Sequence, residues 1–156
     1  MTLVCAHFRP GGGSGPCTRR IWVGYHRASG GVATAPTMLF MRKPLGPYTP
    51  AVRAGDWVIV SGQLGVKDGV LVPGGVAAQT AQAVQNLAEQ LASMGASLAD
   101  VAKTLCFLTD MDTFAAFNEA YVAGFGQSRP ARSTVGVAAL PLNGAVEIEA
   151  WAYRPA

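Results

Sequence analysis

Histidine is almost missing from this chain: there are two, His7 and His26, and both lie in the first forty residues. From Met41 onward no imidazole is available for a catalytic triad, a proton shuttle or a zinc site. Chemistry in that part must come from carboxylate, guanidinium, hydroxyl, backbone groups or water. Cysteine is scarce as well. Of three, Cys5 and Cys17 belong to the leader and Cys106 sits alone in the apolar run 104–108, so no disulfide framework is expected. Only 13% of residues are charged, while half are hydrophobic, a balance that excludes a mainly disordered chain. No uninterrupted apolar run approaches the ~20 residues needed to span a bilayer, so no membrane partner is expected.

The 156 residues suit one compact domain. The net charge of +3 points first to nucleic acid, but its distribution argues against that partner. Residues 1–40 hold Arg9, Arg19, Arg20 and Arg27 with no acid, whereas from Met41 onward eight basic residues face nine acidic ones. The basicity is a property of the leader. That leader carries the run Gly11-Gly12-Gly13-Ser14-Gly15 and no sustained helical or strand period. It reads as a disordered extension over 1–40, or as read-through from an upstream start with Met38 or Met41 as the native initiator. A transit peptide is the less favoured reading, for want of an amphipathic stripe. The domain then spans 41–156, and its expected location is the cytoplasm.

Local patterns within the domain are consistent. Gly46-Pro47-Tyr48-Thr49-Pro50 is a stiff turn leading into 51–54, and Trp57-Val58-Ile59-Val60-Ser61 is a β-rich run expected to stop at Gly62. Asp68-Gly69 between short apolar segments signals a hairpin. The spacing of Ala77, Ala81, Val84, Leu87, Ala88, Leu91 and Met94 predicts a helix over 76–94, ended by Gly95. Ser97 caps a short turn through Asp100, and 101–108 reads as a buried strand. Asp110 or Asp112 caps a second helix, whose Phe114, Phe117, Tyr121 and Phe125 form an aromatic stripe assigned to the core. Two strands follow, over 133–138 and 145–153. In the last, Val146, Ile148, Ala150 and Ala152 share one face, and Glu147, Glu149, Trp151 and Tyr153 the other. The order predicts an α+β fold with helices on one sheet face and a second face that needs cover.

Candidate chemistry is sparse. Arg132 opens a strand with Thr134 and Gly136 as period-two neighbours, and its guanidinium offers a planar fork for a carboxylate. The competing role is an ion pair with Glu147 or Glu149 on a neighbouring strand. Glu147 divides in the same way between ion-pair member and general base. Tyr48 is either a pocket wall or a packed turn residue. Neither Gly74-Gly75 nor the leader's glycine run has the following Lys-Ser/Thr of a phosphate loop.

Taken together, Gly46-Pro47-Tyr48, Ser61-Gly62-Gln63, Gln79-Thr80 with Asn86-Leu87, Phe107-Leu108-Thr109-Asp110-Met111 with Phe114 and Asn118, Pro130-Ala131-Arg132-Ser133 and Val146-Glu147-Ile148-Glu149-Ala150 resemble the RidA family, also called YjgF/YER057c/UK114. The resemblance runs in order from about Met41 to Arg154. It implies a chorismate-mutase-like α+β fold: a mixed sheet with two main helices on one face, assembled as a homotrimer with a barrel-like centre and clefts between subunits. It also implies hydrolytic deamination of reactive 2-imino acids and their enamines to 2-oxo acids and ammonia, with neither cofactor nor metal. On this mapping Arg132 holds the substrate carboxylate and Glu147 positions or activates water. Tyr48, Ser61, Gly62, Asn118 and Thr134 shape the cleft. The alternative is a non-catalytic homotrimer that binds small carboxylates or partner proteins. Two departures stand out: Thr49-Pro50 follows Tyr48 where the family has Ser-Gln, and Thr134 occupies a position often held by cysteine.

Overall fold

The computed structural model describes residues 46–155. The extension expected over 1–40, and the start of the domain at 41, lie outside those residues. Seven strands and two helices follow in the order β1 (Ala51–Ala54), β2 (Trp57–Leu64), β3 (Val66–Lys67), β4 (Val70–Leu71), α1 (Gly75–Ser93), β5 (Val101–Leu108), α2 (Phe114–Phe125), β6 (Ala131–Gly136) and β7 (Val146–Tyr153). Five strands make one sheet in the order β1-β2-β7-β5-β6. All of its neighbours are antiparallel except β5 and β6, which run parallel and are joined through α2. That single parallel pair requires a crossover, and α2 supplies it. The result is the expected α+β architecture with a mixed sheet.

The period of two sorts β5 and β7 cleanly. Thr104, Cys106 and Leu108 alternate with Lys103, Leu105 and Phe107, and only the first set is wholly buried. On β7 the buried set is Val146, Ile148, Ala150 and Ala152. These side chains join Val58 and Val60 of β2, Val84, Leu87 and Leu91 of α1, and Phe117, Tyr121 and Phe125 of α2 in one hydrophobic core. Both helices therefore cover the same face of the sheet. The opposite face carries Ile59, Lys103, Leu105, Phe107, Glu147, Glu149 and Trp151, all only partly buried.

The hairpin expected at Asp68-Gly69 joins β3 to β4, with both turn residues at positive φ (51° and 85°) as this turn demands. Ser97 caps the expected short turn through Asp100, whose side chain completes a capping box.

Four local expectations need correction. In α1 Ala77 and Ala81 are exposed, and the buried stripe instead takes in Val76, Gln79, Thr80, Gln82, Ala83 and Asn86. Gln79 and Asn86 find backbone partners there, and Gln82 Nε2 donates to Asn86 Oδ1 at 2.8 Å. Asn86 Nδ2 donates to the carbonyls of Leu64 and Val66, each at 2.9 Å, and Gln79 Oε1 accepts from the Ala145 amide at 2.8 Å. Second, β2 does not stop at Gly62. It runs on to Leu64 through a break in register between Val60 and Gln63, a bulge that places Gly62 opposite β7. Third, Asp110 caps the short 3-10 turn Met111–Thr113, accepting the Asp112 amide at 2.9 Å, rather than α2 itself. Last, β6 begins at Ala131 and ends at Gly136, two residues early at each end, because it follows β5 only as far as Leu108.

Candidate active site

The site residues expected from the sequence fall into two groups, and the register of the sheet separates them. In β6, Arg132 pairs with Thr104 and Thr134 with Cys106. Thr104 and Cys106 point into the core beneath the helices, so Arg132 and Thr134 lie on the helix-bearing face, on the strand that forms one edge of the sheet. There α2 supplies the surroundings. Arg132 Nη2 donates to Asn118 Oδ1 at 2.7 Å, and the guanidinium carbon lies 4.7 Å from the centre of the Tyr121 ring, 5.1 Å from Phe117 and 5.6 Å from Phe114. A cation within about 6 Å of a ring face is held by the ring's quadrupole. The aromatic stripe of α2 is thus core only in part: Phe117, Tyr121 and Phe125 are buried, but Phe114 is exposed and flanks Arg132. Thr134 Oγ1 is shut away from solvent without a hydrogen-bond partner.

The second group occupies the other face. Glu147 pairs with Phe107 on one side and Leu64 on the other, and it projects from the open side of the sheet. Its carboxylate fills the place a side chain on Gly62 would need: a Cβ built there would meet the Glu147 Oε1 atom, with Cδ at 2.6 Å and Cγ at 2.9 Å. Next in sequence, Ser61 ties in the segment bearing Tyr48. Its amide donates to the Pro50 carbonyl at 2.9 Å and its hydroxyl to the Thr49 carbonyl at 2.8 Å. Tyr48 itself is 46% exposed, on a turn closed by its own amide donating to the Gly46 carbonyl at 2.9 Å. Glu147, Gly62, Ser61 and the Tyr48 turn therefore form one connected set. Arg132, Asn118 and Thr134 form another.

The ion pair weighed between Arg132 and Glu147 or Glu149 is not made, because β5 lies between β6 and β7 and the side chains leave opposite faces. A salt bridge joins Arg154 to Asp100 at 3.4 Å. Without a cation beside it, the Glu147 carboxyl is pushed above its ordinary value by burial and then by the charge of Glu149, two residues along on the same face. Burial raises Glu149 likewise. The Cys106 thiol, under the helices, is pushed up to about 11 by burial, which makes it a poor nucleophile. Among the described residues no three His, Cys, Asp or Glu side chains are grouped to hold a metal ion, and no helix is long and apolar enough to cross a membrane.

An open concavity of about 450 Å³ on the uncovered face is lined by Trp57, Ile59, Lys103 and Trp151, none of them an expected site residue. The residues that sequence reasoning missed are Tyr121 and Thr104, whose hydroxyls share a buried hydrogen bond of 2.8 Å beside Arg132. Tyr121 is core, as the stripe predicts, and also meets Arg132; Asn118 within the same stripe is the signal that this helix face touches polar chemistry.

Residues 40–154 match the family model described as Endoribonuclease L-PSP. Over 107 residues the chain is 46% identical to the protein mmf2, mitochondrial, of Schizosaccharomyces pombe, covering 67% of this chain and 85% of that one. It is 44% identical over 112 residues to the mouse 2-iminobutanoate/2-iminopropanoate deaminase, covering 70% of this chain and 83% of the mouse protein. The crystal structure of RidA from the Antarctic bacterium Psychrobacter sp. PAMC 21119 superposes with a TM-score of 0.68 at 42% identity, covering 71% and 91% of the two chains.

Proposed function

The chain belongs to the endoribonuclease L-PSP family, the RidA/YjgF family, and from that premise we propose that it hydrolyses reactive 2-imino acids to 2-oxo acids and ammonia in a cleft built between two copies of itself. The observation that carries this reading is the split of the site. One sheet presents the Arg132 guanidinium on its helix-bearing face and the half-buried Glu147 carboxyl, its pKa raised by burial, on its open face. A single protomer cannot bring the two to one small substrate. A head-to-tail contact, with the β6 edge of one copy set against the open face of the next, does so at every interface and closes as a ring. The open face has the surface for such a contact, with Trp57 41% and Tyr153 48% exposed beside the partly buried Trp151.

The chemistry asks little of the protein. The substrate is a protonated imine whose carboxylate takes the free N–H edge of Arg132, the other edge being held by Asn118. Glu147 of the adjoining copy accepts a proton from water as its oxygen adds to the imine carbon. Glu147 returns that proton to the carbinolamine nitrogen, and as the hydroxyl then gives its own proton to the Glu147 carboxylate the C–N bond breaks, ammonia leaves and the 2-oxo acid remains. Atoms balance as imine plus water giving oxo acid plus ammonia. Positioning and a base whose pKa burial raises suffice, and no covalent nucleophile is needed, in keeping with the inert thiol of Cys106. Tyr48, Ser61 and Gly62 line the Glu147 side, and Thr134 the Arg132 side. The domain's six basic against nine acidic residues over 46–155 disfavour an RNA substrate. A cytoplasmic location fits the reading, although the fission-yeast relative is named as mitochondrial.

The test is to generate 2-iminopropionate in situ and follow pyruvate. Wild type accelerates its formation, and Arg132→Ala and Glu147→Gln each abolish the acceleration. Co-refolding equal amounts of these two inactive variants returns about a quarter of wild-type activity, the chance that an intact Arg132 meets an intact Glu147 across an interface. No acceleration by wild type sinks the deaminase reading. An active wild type with no recovery in the mixture sinks the shared cleft.

A further inference from the structure

We infer that Tyr121 is a positioning residue: its ring face, clamped from behind by Phe125 and at its hydroxyl by Thr104, fixes the direction in which the Arg132 guanidinium presents its free N–H edge. The inference rests on the proposed role of Arg132 as the carboxylate anchor. Three contacts define the device. The Tyr121 and Phe125 rings stack at 4.3 Å with 25° between planes, so one face of Tyr121 is used in packing and the other is left for a different neighbour. The hydroxyl shares a hydrogen bond of 2.8 Å with Thr104 Oγ1, and both residues are buried, so the ring cannot swing. Arg132 lies closer to this ring than to either phenylalanine.

The sheet register closes the arrangement, because Thr104 is the strand partner of Arg132. The residue that anchors the tyrosine hydroxyl therefore sits directly beside the arginine that the tyrosine ring supports. Asn118, one helical turn before Tyr121, takes a second side of the guanidinium. A phenylalanine would fill the same space and give a similar π face, but it would lose the tie to β5. The tyrosine adds a fixed distance between α2 and the strand next to β6.

Loss of the ring face leaves Arg132 attached to the strand but with its head free to turn. Substrate capture then weakens while the chemical step at Glu147 is unaffected. Tyr121→Met keeps an apolar side chain of comparable reach without a π face. The expected result is a KM for 2-iminopropionate raised about tenfold, between the exposed and the desolvated size of a cation–π contact, with kcat within about twofold of wild type. Tyr121→Phe restores most of that affinity because the face returns. A merely structural role would move the urea midpoint of both variants and leave KM alone, and that outcome overturns the inference. So does equal impairment of both KM values.

A readout independent of turnover is the Arg132 Nε–H resonance of the full-length protein, assigned by its disappearance in Arg132→Lys. Stacked on the ring it is shifted upfield, and it returns toward the free-arginine position in Tyr121→Met. A wild-type resonance already at the free position overturns the proposal even if Tyr121→Met fails to fold. The two readings fail separately: an inactive wild type with a ring-shifted Arg132 signal sinks the deaminase function alone.

Discussion

Adding one methyl group at Gly62 tests whether Glu147 must stand where it does. Gly62 has no positive φ, so alanine meets no backbone penalty there, and the whole effect is steric. The new Cβ would lie 2.6 Å from Cδ and 2.9 Å from Cγ of Glu147. Ordinary contact for such atoms begins near 3.4 Å, so the carboxyl must retreat by about 1 Å. A misplacement of that size at a reacting group costs on the order of 10²-fold in rate. The stability cost stays at the low end of the roughly 1–3 kcal/mol typical of overpacking, because the obstacle is the far end of a flexible, half-buried side chain. Gly65→Ala is the control. There the Cβ would meet the Gln79 backbone, with Cα and O both at 2.5 Å, and a helix backbone cannot step aside. Gly62→Ala should therefore keep a near-native urea midpoint and lose kcat/KM for 2-iminopropionate, while Gly65→Ala should lose the midpoint. A well-folded Gly62→Ala protein with wild-type kcat/KM would refute the claim that the Glu147 carboxylate is held in place for chemistry.

Further outcomes follow from the same geometry. Glu149→Gln removes the charge that helps to hold the Glu147 carboxyl up, so the acid limb of the kcat/KM profile should move to lower pH, because Glu147 must be ionised to act as base. Glu149's own raised pKa means that its ionisation costs stability as pH climbs from its ordinary value through the folded one. The variant should therefore lose less stability than wild type between pH 4 and pH 7 in urea titrations, and an unchanged pH profile would count against the coupling. Asn86→Ala strips a hydrogen-bond donor from two carbonyls in the β2–β3 corner and should cost roughly 2–4 kcal/mol by urea unfolding. The Cys106 thiol, raised to about 11 by burial, should react with a disulfide reagent only as fast as the protein unfolds; rapid labelling of the native protein would contradict its burial.

Much of the fold is legible in the residues because local signals agree with one another. Asp68-Gly69 can hardly do other than turn, and the alternation in 146–153 divides the last strand into a core face and an open face without help from neighbours. What failed depends on partners distant in sequence. The buried side of α1 departs from its apolar spacing because Gln79 and Asn86 bond the backbone of Ala145, Leu64 and Val66, partners that spacing does not reveal. The extension of β2 past Gly62 depends on a glutamate 85 positions later. For the site, the residue types were readable and their sides were not. Arg132 and Glu147 are expected at one pocket between subunits; that they leave opposite faces of one sheet follows from the insertion of β5 between their strands, a matter of topology that periodicity does not encode.

The separation of guanidinium and carboxylate by the thickness of a sheet also bears on how the protein would respond to faulty copies. If each protomer lends its arginine to one neighbour and its glutamate to the other, a chain defective in both silences two clefts of a three-membered ring. In a mixed population such a chain is a poison subunit, subtracting more activity than its share of the mass. On the same condition, dissociation of the proposed assembly would act as an off-switch, since a solitary subunit would hold only half of each cleft.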